Sequence, residues 1–189
     1  MKNKKYFAIA GPSGVGKTTI ISLVLKNSKN LQKVLTSTTR KIRDGEENGV
    51  NYNFYSTEEF QKKLANREFL ENEKVHTNYY GVEKKEVEKI FEINKIPLFE
   101  VDVRGVMKIK ELIPDLKTIF ILPESLKQIE DRLRQRSNIT ENEIRTRLET
   151  AKDELEIASK FNYRIVNKEG KINQTVQEIE DILKKEDYI

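Results

Sequence analysis

Short apolar runs alternate with charged stretches of helical period along this chain. Runs typical of buried parallel strands occur at 6–10, about 32–35, 97–101, 117–122 and 163–166. Patterns typical of helices lie between most of them, at 17–27, 104–112, 125–135 and 171–184. Strands that alternate with helices are typical of a parallel sheet covered by helices. The pattern therefore predicts an α/β fold.

A polar stretch, residues 37–95, interrupts this alternation. It is rich in Tyr, Asn and Glu, and its pattern predicts short strands at 52–55 and 69–76. Helices are predicted near 57–66 and 83–94, and Ser56 with Glu59 forms the capping box that begins the first of them. We interpret this stretch as an insertion into the α/β core.

A second stretch, residues 128–158, is heavily charged and helical in period, with little apolar face. Such a helical hairpin is either a solvated surface or a lid that closes over a ligand, and the spacing of its arginines favours the lid. We predict a single domain over 1–189. The core covers about 1–36, 96–127 and 159–189, the first insertion about 37–95, and the lid about 128–158.

Composition narrows the function classes. The 189 residues contain no cysteine, which excludes disulfides and fits a reducing cytoplasm, so we expect a cytoplasmic protein. The net charge of +4 comes from basic residues interleaved with acidic ones, so we expect no nucleic-acid partner. No apolar run approaches the ~20 residues of a membrane span, so we expect no membrane partner. The sequence leaves the oligomeric state open.

Residues 11–18, with the sequence GPSGVGKT, fit the phosphate-loop pattern G-x-x-x-x-G-K-[ST]. An apolar strand precedes the loop and an amphipathic helix follows it, so several backbone N–H groups and a helix N-terminus face one point, where an anion binds. We expect Lys17 to reach the β- and γ-phosphates of ATP and Thr18 to bind Mg²⁺. The predicted ATP-binding residues here are Gly11, Pro12, Ser13, Gly14, Val15, Gly16, Lys17, Thr18 and Thr19.

Seven further segments complete a pattern that spans nearly the whole chain. They are 37–43 (STTRKIR), 49–54 (GVNYNF), 69–71 (FLE), 78–81 (NYYG), 101–106 (VDVRGV), 120–123 (FILP) and 165–167 (IVN). With the phosphate loop, and in this order, they resemble the guanylate kinase family. The resemblance implies a P-loop NTPase core, Mg²⁺ with ATP, and transfer of the γ-phosphoryl group of ATP to GMP.

The resemblance also implies a GMP site within the insertion and its surroundings. Its expected residues are Thr36, Arg40, Arg43, Tyr52, Glu71, Tyr80, Val82 and Asp102. Guanidinium groups match phosphate oxygens bidentately, so Arg40 and Arg43, with the two tyrosine hydroxyls, are expected to hold the GMP phosphate. Ionised Glu71 and Asp102 accept from the N1–H and N2–H₂ donors of guanine, whereas the lone pair of adenine N1 would face a carboxylate and repel it.

The lid matches the family at Arg132, Arg136 and Arg147, which are expected to be catalytic together with Lys17 by surrounding the transferred group. Arg134 and Arg145 are interpreted as stabilising exposed helices. Asn167 is expected to contact ATP.

Two positions depart from the family pattern. Glu100 stands where an aspartate is usual, so a water-mediated Mg²⁺ contact is expected only if the longer side chain allows it. Val82 stands where Thr or Ser is usual, so guanine O6 is expected to lack one hydrogen bond, and Val82→Thr is expected to lower the KM for GMP. The alternative is that Val82 only packs.

Two other functions compete with a GMP kinase. A non-catalytic interaction domain of the same family is disfavoured because the phosphate loop is intact. A kinase of the same fold for a sugar phosphate is disfavoured because Glu71 and Asp102 have little reason to face a sugar. The single histidine, His76, has no neighbour at metal-ligand spacing and is expected to have no catalytic role.

Overall fold

A computed structural model describes residues 4–75, 77–135 and 139–189 of the chain. The strands are β1 (Phe7–Ala10), β2 (Leu31–Lys33), β3 (Thr36–Thr38), β4 (Asn53–Phe54), β5 (Phe69–Val75), β6 (Asn78–Glu83), β7 (Ile96–Phe99), β8 (Lys117–Pro123) and β9 (Tyr163–Asn167). The helices are α1 (Lys17–Asn27), α2 (Thr57–Ala65), α3 (Lys84–Glu92), α4 (Val103–Leu112), α5 (Leu126–Arg134), α6 (Glu141–Ile157) and α7 (Ile172–Lys185). A 3-10 turn (Ala158–Lys160) follows α6.

The main sheet has the strand order β2-β7-β1-β8-β9, and every neighbouring pair is parallel. This confirms the predicted α/β fold with a parallel sheet. Two apolar clusters cover its faces, one including Phe7, Val24 and Ile179 and the other Phe99, Val106 and Phe120. Because β1 is central, the loop that follows it lies at the carboxyl edge of the sheet, where ligands of open α/β sheets bind.

The first insertion forms a smaller sheet of its own, in the order β4-β3-β6-β5. β5 and β6 are antiparallel, and so are β3 and β6, whereas β3 and β4 are parallel. Ser56 accepts from the backbone N–H of Glu59, whose side chain accepts from the N–H of Ser56, so the predicted capping box begins α2. The sheet already includes Thr36, one residue before the predicted insertion.

The hairpin of α5 and α6 has a small apolar core. Ile129, Leu133, Ile144 and Ala151 are buried together between the two helices. The apolar face of the hairpin is therefore narrow, as expected: its four buried residues lie at helical spacing and are separated by charged residues. Thr140 and Glu143 form the predicted capping box at the start of α6. Within the described residues no helix has the length and apolar character needed to span a membrane.

Candidate active site

The glycines of the phosphate loop occupy positions that other residues would not tolerate. At Gly11 the φ angle is 150°, and a Cβ there would lie 2.5 Å from the carbonyl oxygen of Ile121 in the neighbouring strand. Gly16 has a φ of 99° and immediately precedes α1. Left-handed backbone and close approach both favour glycine. The loop is therefore held tightly against the edge of the sheet, with the N-terminus of α1 facing the cleft.

Lys17 is folded back onto its own loop. Its ammonium group donates to the carbonyl oxygens of Gly11 and Pro12, the latter at 3.0 Å. Lys17 also lines the cleft together with Ser13, and Thr19 is exposed. Of the predicted phosphate-binding residues, Gly11, Ser13 and Lys17 thus line the cleft.

The side chain of Asn167 is hydrogen-bonded to the backbone of the phosphate loop. Its side-chain amide donates to the carbonyl oxygen of Val15 at 2.8 Å, and its carbonyl accepts from the hydroxyl of Thr175 at 3.1 Å. The residue is only 2% exposed. Both polar groups of the side chain are thus hydrogen-bonded within the protein, and the expected contact of Asn167 with ATP stays a prediction.

The lid arginines reach the phosphate loop by different routes. Arg147 donates to the hydroxyl of Ser13 at 3.1 Å, which brings α6 onto the loop. Arg132 donates to the carbonyl oxygen of Val15 at 3.0 Å and pairs with Glu169 at 2.6 Å. Arg132 thus lies on the outer side of the loop rather than in the cleft. Arg136, the third predicted lid arginine, lies outside the described residues.

The interpretation of Arg134 and Arg145 as helix-stabilising residues agrees with their contacts. Arg134 pairs with Glu130 one turn earlier and with Glu141 across the hairpin. Arg145 donates to Asn142 at 3.5 Å, on its own helix. His76 also lies outside the described residues.

A cavity of about 320 Å³ lies between the phosphate loop and the smaller sheet. Its lining residues are Gly11, Ser13, Lys17, Thr36, Tyr52, Glu71, Glu73, Val75, Tyr80, Gly81, Glu100, Val101, Asp102 and Glu154. The cavity brings together one end of the predicted ATP site and most of the predicted GMP site. Its size and its mixed polar and apolar lining suit a small organic ligand.

Glu71 and Asp102 form the acidic end of this cavity. Glu71 is 6% exposed, and its buried Oε1 atom has no hydrogen-bond partner in the part of the chain that the structure describes. Burial, and next the charge of Asp102, raise the pKa of Glu71 to about 7. One oxygen of Asp102 accepts from the backbone N–H of Gly105 at 2.6 Å and so caps α4. The two carboxyl groups therefore have buried oxygen atoms at the cavity that can accept further hydrogen bonds. Such a site suits a ligand with several N–H donors.

Thr36 and Val82 are paired across β3 and β6 but have different surroundings. Thr36 lines the cavity. Val82 is fully buried and packs in the apolar cluster with Ala10, Val34 and Phe99. The structure therefore corrects the expected contact of Val82 with the base and favours the alternative, that the side chain packs.

The predicted phosphate clamp is only partly assembled. Tyr52 and Tyr80 line the cavity with their rings 6.4 Å apart. The guanidinium of Arg40 lies 5.5 Å from the centre of the Tyr52 ring, but both of its terminal nitrogens donate to Glu46, at 3.0 and 2.7 Å. The backbone N–H of Arg43 donates to the same carboxylate, and its side chain is exposed. Neither arginine lines the cavity.

Glu46 is a residue that the sequence interpretation missed. It holds Arg40 bidentately, and it sits six positions later in a polar loop, a separation that gives no helical or strand signal. The carboxylate of Glu46 binds the two terminal guanidinium nitrogens of Arg40 that a phosphate would also bind. A bound phosphate therefore has to share the guanidinium group of Arg40 with Glu46 or displace Glu46 from it.

A hydrogen-bonded chain crosses the edge of the main sheet next to the phosphate loop. The hydroxyl of Thr18 donates to Oε1 of Glu100 at 3.2 Å, and Oε2 of Glu100 pairs with the ammonium of Lys33 at 2.5 Å. The longer side chain of Glu100 thus reaches the hydroxyl directly. Among the described residues no group of three or more His, Cys, Asp and Glu side chains could hold a metal ion, so any metal here must also use ligand oxygens.

Glu154, on α6, is the second missed residue of the cavity. It lies seven residues after Arg147, so both are on the helix face that meets the phosphate loop. Burial raises the pKa of Glu154, the nearby charge of Lys17 lowers it and that of Asp102 raises it, with a net upward direction. The sequence does not distinguish Glu154 from the other acidic residues of this charged helix, so its place in the cavity could not be predicted.

The most completely bonded carboxylate among the described residues lies at the end of β6. Glu83 is fully buried and accepts from Ser37 at 2.7 Å, Lys63 at 2.9 Å and Tyr55 at 3.0 Å. Lys85 also pairs with it at 3.0 Å. Burial alone would raise its pKa, but these partners outweigh burial and lower the pKa to about 2. Glu83 thereby ties β3, α2 and the start of α3 into one unit.

Comparison with known proteins gives one consistent result. A family model described as guanylate kinase matches residues 3–186. The chain is 41% identical over 193 aligned positions to a guanylate kinase of Mesomycoplasma hyopneumoniae strain J, covering 98% of this chain and 97% of that protein. It is 39% identical over 175 positions to a guanylate kinase of Clostridium perfringens strain 13, covering 93% and 80% of the two chains.

A solved structure is similar over the same extent. The crystal structure of a guanylate kinase from Anaplasma phagocytophilum superimposes with a TM-score of 0.78 at 29% identity. The superposition covers 97% of this chain and 86% of that one. The similarity thus extends over the core, the smaller sheet and the helical hairpin together.

Proposed function

The chain belongs to the guanylate kinase family and is a nucleoside monophosphate kinase, and we propose which of its residues transfer the γ-phosphoryl group of ATP to GMP. The proposal assigns GMP to the cavity between the smaller sheet and α4. It assigns ATP to the phosphate loop. The transfer then takes place where these two parts meet, beside Lys17.

The Glu71–Asp102 pair is the observation that supports GMP as the acceptor. Among the described residues the buried Oε1 of Glu71 has no hydrogen-bond partner, and guanine offers N1–H and N2–H₂ donors to such an acceptor. Adenine would present a lone pair there and leave the carboxylates unsatisfied. A site built to hydrogen-bond one group rejects the analogue that lacks it by ~10⁴ or more.

The phosphate of GMP is assigned to Tyr52, Tyr80, Arg40 and Arg43. Both tyrosines already face the cavity, and the ring of Tyr52 lies under Arg40. When the phosphate arrives, Arg40 is proposed to exchange part of its contact with Glu46 for the phosphate oxygens. The exposed Arg43 side chain is proposed to turn inward at the same time.

ATP is assigned to the phosphate loop, with Mg²⁺ beside Thr18. The donor set fits this ion, because Mg²⁺ prefers oxygen ligands and is usually bound by one or two protein groups together with substrate phosphates. The hydroxyl of Thr18 and the carboxylate of Glu100 provide such oxygens at the edge of the cleft. When bound, the ion neutralises charge on the phosphates during transfer.

Lys17 and the lid arginines supply the remaining positive charge. Phosphoryl transfer requires positioning and charge neutralisation more than covalent chemistry by the protein. Lys17 is proposed to leave the loop carbonyls for the β- and γ-phosphates, and Arg147 to exchange Ser13 for a phosphate oxygen. Arg136 keeps its sequence-based assignment to the same role. Closure of the hairpin expels water, which otherwise competes as acceptor.

Substrate specificity is the decisive test. Purified protein with ATP and Mg²⁺ is assayed for ADP release with GMP, AMP, CMP, UMP and a panel of sugar phosphates. GMP is expected to be used at least ~10²-fold more efficiently than the other acceptors. Equal activity on AMP would contradict the base-reading assignment, and activity only on a sugar phosphate would replace it. Glu71→Gln, which keeps size but removes the carboxylate, is the matched variant and should lose most of the preference for GMP.

A further inference from the structure

Lys33 is the one residue of the Thr18–Glu100–Lys33 chain for which the reaction has no evident use. It ends β2, at the edge of the main sheet, and its side chain is 37% exposed. Its ammonium lies 2.5 Å from Oε2 of Glu100, whose own side chain is only 14% exposed. Ion pairs at such short distances between partly buried groups are screened much less by solvent and salt than pairs of exposed groups.

The carboxylate of Glu100 therefore contacts both Thr18 and Lys33, and the two contacts affect metal binding differently. Through Oε1 it accepts the proton of the Thr18 hydroxyl, at 3.2 Å. A hydroxyl that donates its proton in one direction presents its lone pairs in the other, which is the orientation a metal ligand needs. Through Oε2 it pairs with a lysine, which offsets its negative charge.

We propose that Lys33 sets the Mg²⁺ affinity of the ATP site by competing with the metal for the carboxylate of Glu100. Two cations that share one carboxylate each weaken the binding of the other. Lys33 thus holds the carboxylate of Glu100 in place, yet prevents it from adding its full charge to metal binding. The inference rests on the proposed function, because it assumes that Mg²⁺ enters beside Thr18 with the nucleotide.

The consequence is that the metal binds with the nucleotide and not before it. With Lys33 in place, the protein offers Mg²⁺ one hydroxyl and a carboxylate whose charge is already offset. The phosphates must then provide most of the attraction. Such a balance lets the metal leave together with the product nucleotide, a step that often limits turnover in enzymes that close over their substrates.

The test measures metal binding without turnover. Wild type, Lys33→Met and the control Lys95→Met are each given saturating ADP, and Tm is followed while free Mg²⁺ is titrated, since a ligand that binds the folded state raises Tm. Lys95 is a suitable control, because it lies beside Lys33 at the same edge of the sheet but contacts Gln32 instead of Glu100. Lys33→Gln is included as a second neutral variant.

We expect the half-saturating concentration of free Mg²⁺ to fall at least about threefold in both Lys33 variants and to change less than about twofold in Lys95→Met. An unchanged or higher value in the Lys33 variants overturns the inference. In the Glu100→Gln background, Lys33→Met should have no further effect. A shift that persists there shows that Lys33 does not act through Glu100 and also overturns it.

Failure of the inference can be distinguished from failure of the proposed function. If wild type shows no Mg²⁺-dependent stabilisation by ADP, the metal site itself is misassigned. If wild type responds normally and phosphorylates GMP but Lys33→Met titrates like wild type, only the role of Lys33 is wrong.

Discussion

Gly105 brings the carboxyl groups of Glu71 and Asp102 together. A Cβ at Gly105 would lie 3.3 Å from Oε1 of Glu71 and 3.3 Å from Oδ1 of Asp102. Those distances are shorter than nearly all real contacts of a Cβ, so a side chain at this position has to displace one of the carboxylates. The glycine is therefore what allows two acids to share one end of the cavity.

Gly105→Ala should weaken GMP binding without destabilising the fold. The added methyl group displaces the base-reading carboxylates, and loss of one hydrogen bond costs a few-fold to about tenfold in affinity. Alanine is the better helix former by up to about 1 kcal/mol, which offsets a weakened Asp102 cap on α4, so Tm should change little. Calorimetry with GMP and a thermal scan together check this. A fall in Tm with unchanged GMP affinity would show that the methyl group disturbs packing and not the site.

GMP affinity should decrease as the pH falls below about 7. Burial, and then Asp102, raise the pKa of Glu71 to about 7 in the ligand-free protein, whereas guanine donors stabilise its ionised form. Binding therefore lowers this pKa and releases a proton at pH 6, and the affinity falls by up to about tenfold per unit below the pKa. Without GMP the linkage has the opposite sign, since a raised pKa makes the folded state more stable at low pH.

Calorimetry at pH 6 and pH 8, in two buffers with different ionisation enthalpies, measures the affinity and the proton release. Glu71→Gln is the control, because it leaves the titration of the GMP phosphate but removes the carboxyl group. Equal pH slopes in wild type and Glu71→Gln would assign the whole effect to the phosphate.

The features that the sequence predicts are those whose residues are close together along the chain. The apolar run of β1, the glycines of the phosphate loop and the helix beginning at Lys17 are adjacent, so one stretch contains the full signal for an anion site. The same holds for the capping boxes at Ser56 and Thr140, where the two partners are three residues apart. Alternation of strands and helices was then sufficient to predict the parallel sheet.

The unpredicted contacts depend on register and on long-range packing. Glu83 meets Ser37 only because β3 and β6 pair with a register that sets Ser37 against Gly81. Val82 is buried in the apolar core, although Tyr80, two residues earlier in the same strand, lines the cavity. Glu100 and Lys33 meet because β2 and β7 are neighbours in space. Composition and periodicity contain none of this information.

Glu83→Gln should destabilise the protein strongly at neutral pH and much less in acid. The folded-state pKa of about 2 lies below the ordinary value of 4.5, so the stabilisation is fully present above about pH 4.5 and is lost as the pH falls towards 2. We expect a loss of about 2 kcal/mol or more at pH 7, since Lys63 and Lys85 lose a shared buried partner.

Urea unfolding at pH 7 and pH 3 checks the Glu83 prediction. Glu130→Gln is the control, because Glu130 pairs with Arg134 on an exposed helix surface, where such a pair contributes little. A difference between wild type and Glu83→Gln that is the same at both pH values would mean that the ionised carboxylate is not the stabilising form.

Lys17→Ala should reduce kcat by ~10³ or more while GMP affinity changes little, because the lysine acts on the transferred group and the base is read by Glu71 and Asp102. Lys26→Ala, at the exposed end of the same helix, is the control and should leave kcat unchanged. Steady-state kinetics and GMP calorimetry give the two quantities. A large loss of GMP affinity would show that the acceptor site and the phosphate loop cannot be separated.

Val82→Thr should leave the KM for GMP unchanged or raise it, contrary to the expectation from sequence. Val82 is fully buried and packs among apolar residues, so a hydroxyl group there that finds no acceptor is left unpaired. Glu71 lies opposite it in β5, and a hydroxyl that turned to that carboxylate would occupy the group that guanine needs. Neither outcome improves binding, and an unpaired buried hydroxyl costs about 1–3 kcal/mol of stability.

The matched control for Val82→Thr is Val87→Thr, which introduces the same hydroxyl into the same apolar cluster from α3. Both variants should lower Tm, and Val87→Thr should leave the KM for GMP at the wild-type value. Thermal scans and steady-state kinetics on GMP provide the comparison. A lower KM in Val82→Thr alone would mean that residue 82 reaches the base after all. The smaller sheet would then have to shift on binding GMP, because in the present arrangement Thr36 and not Val82 faces the cavity.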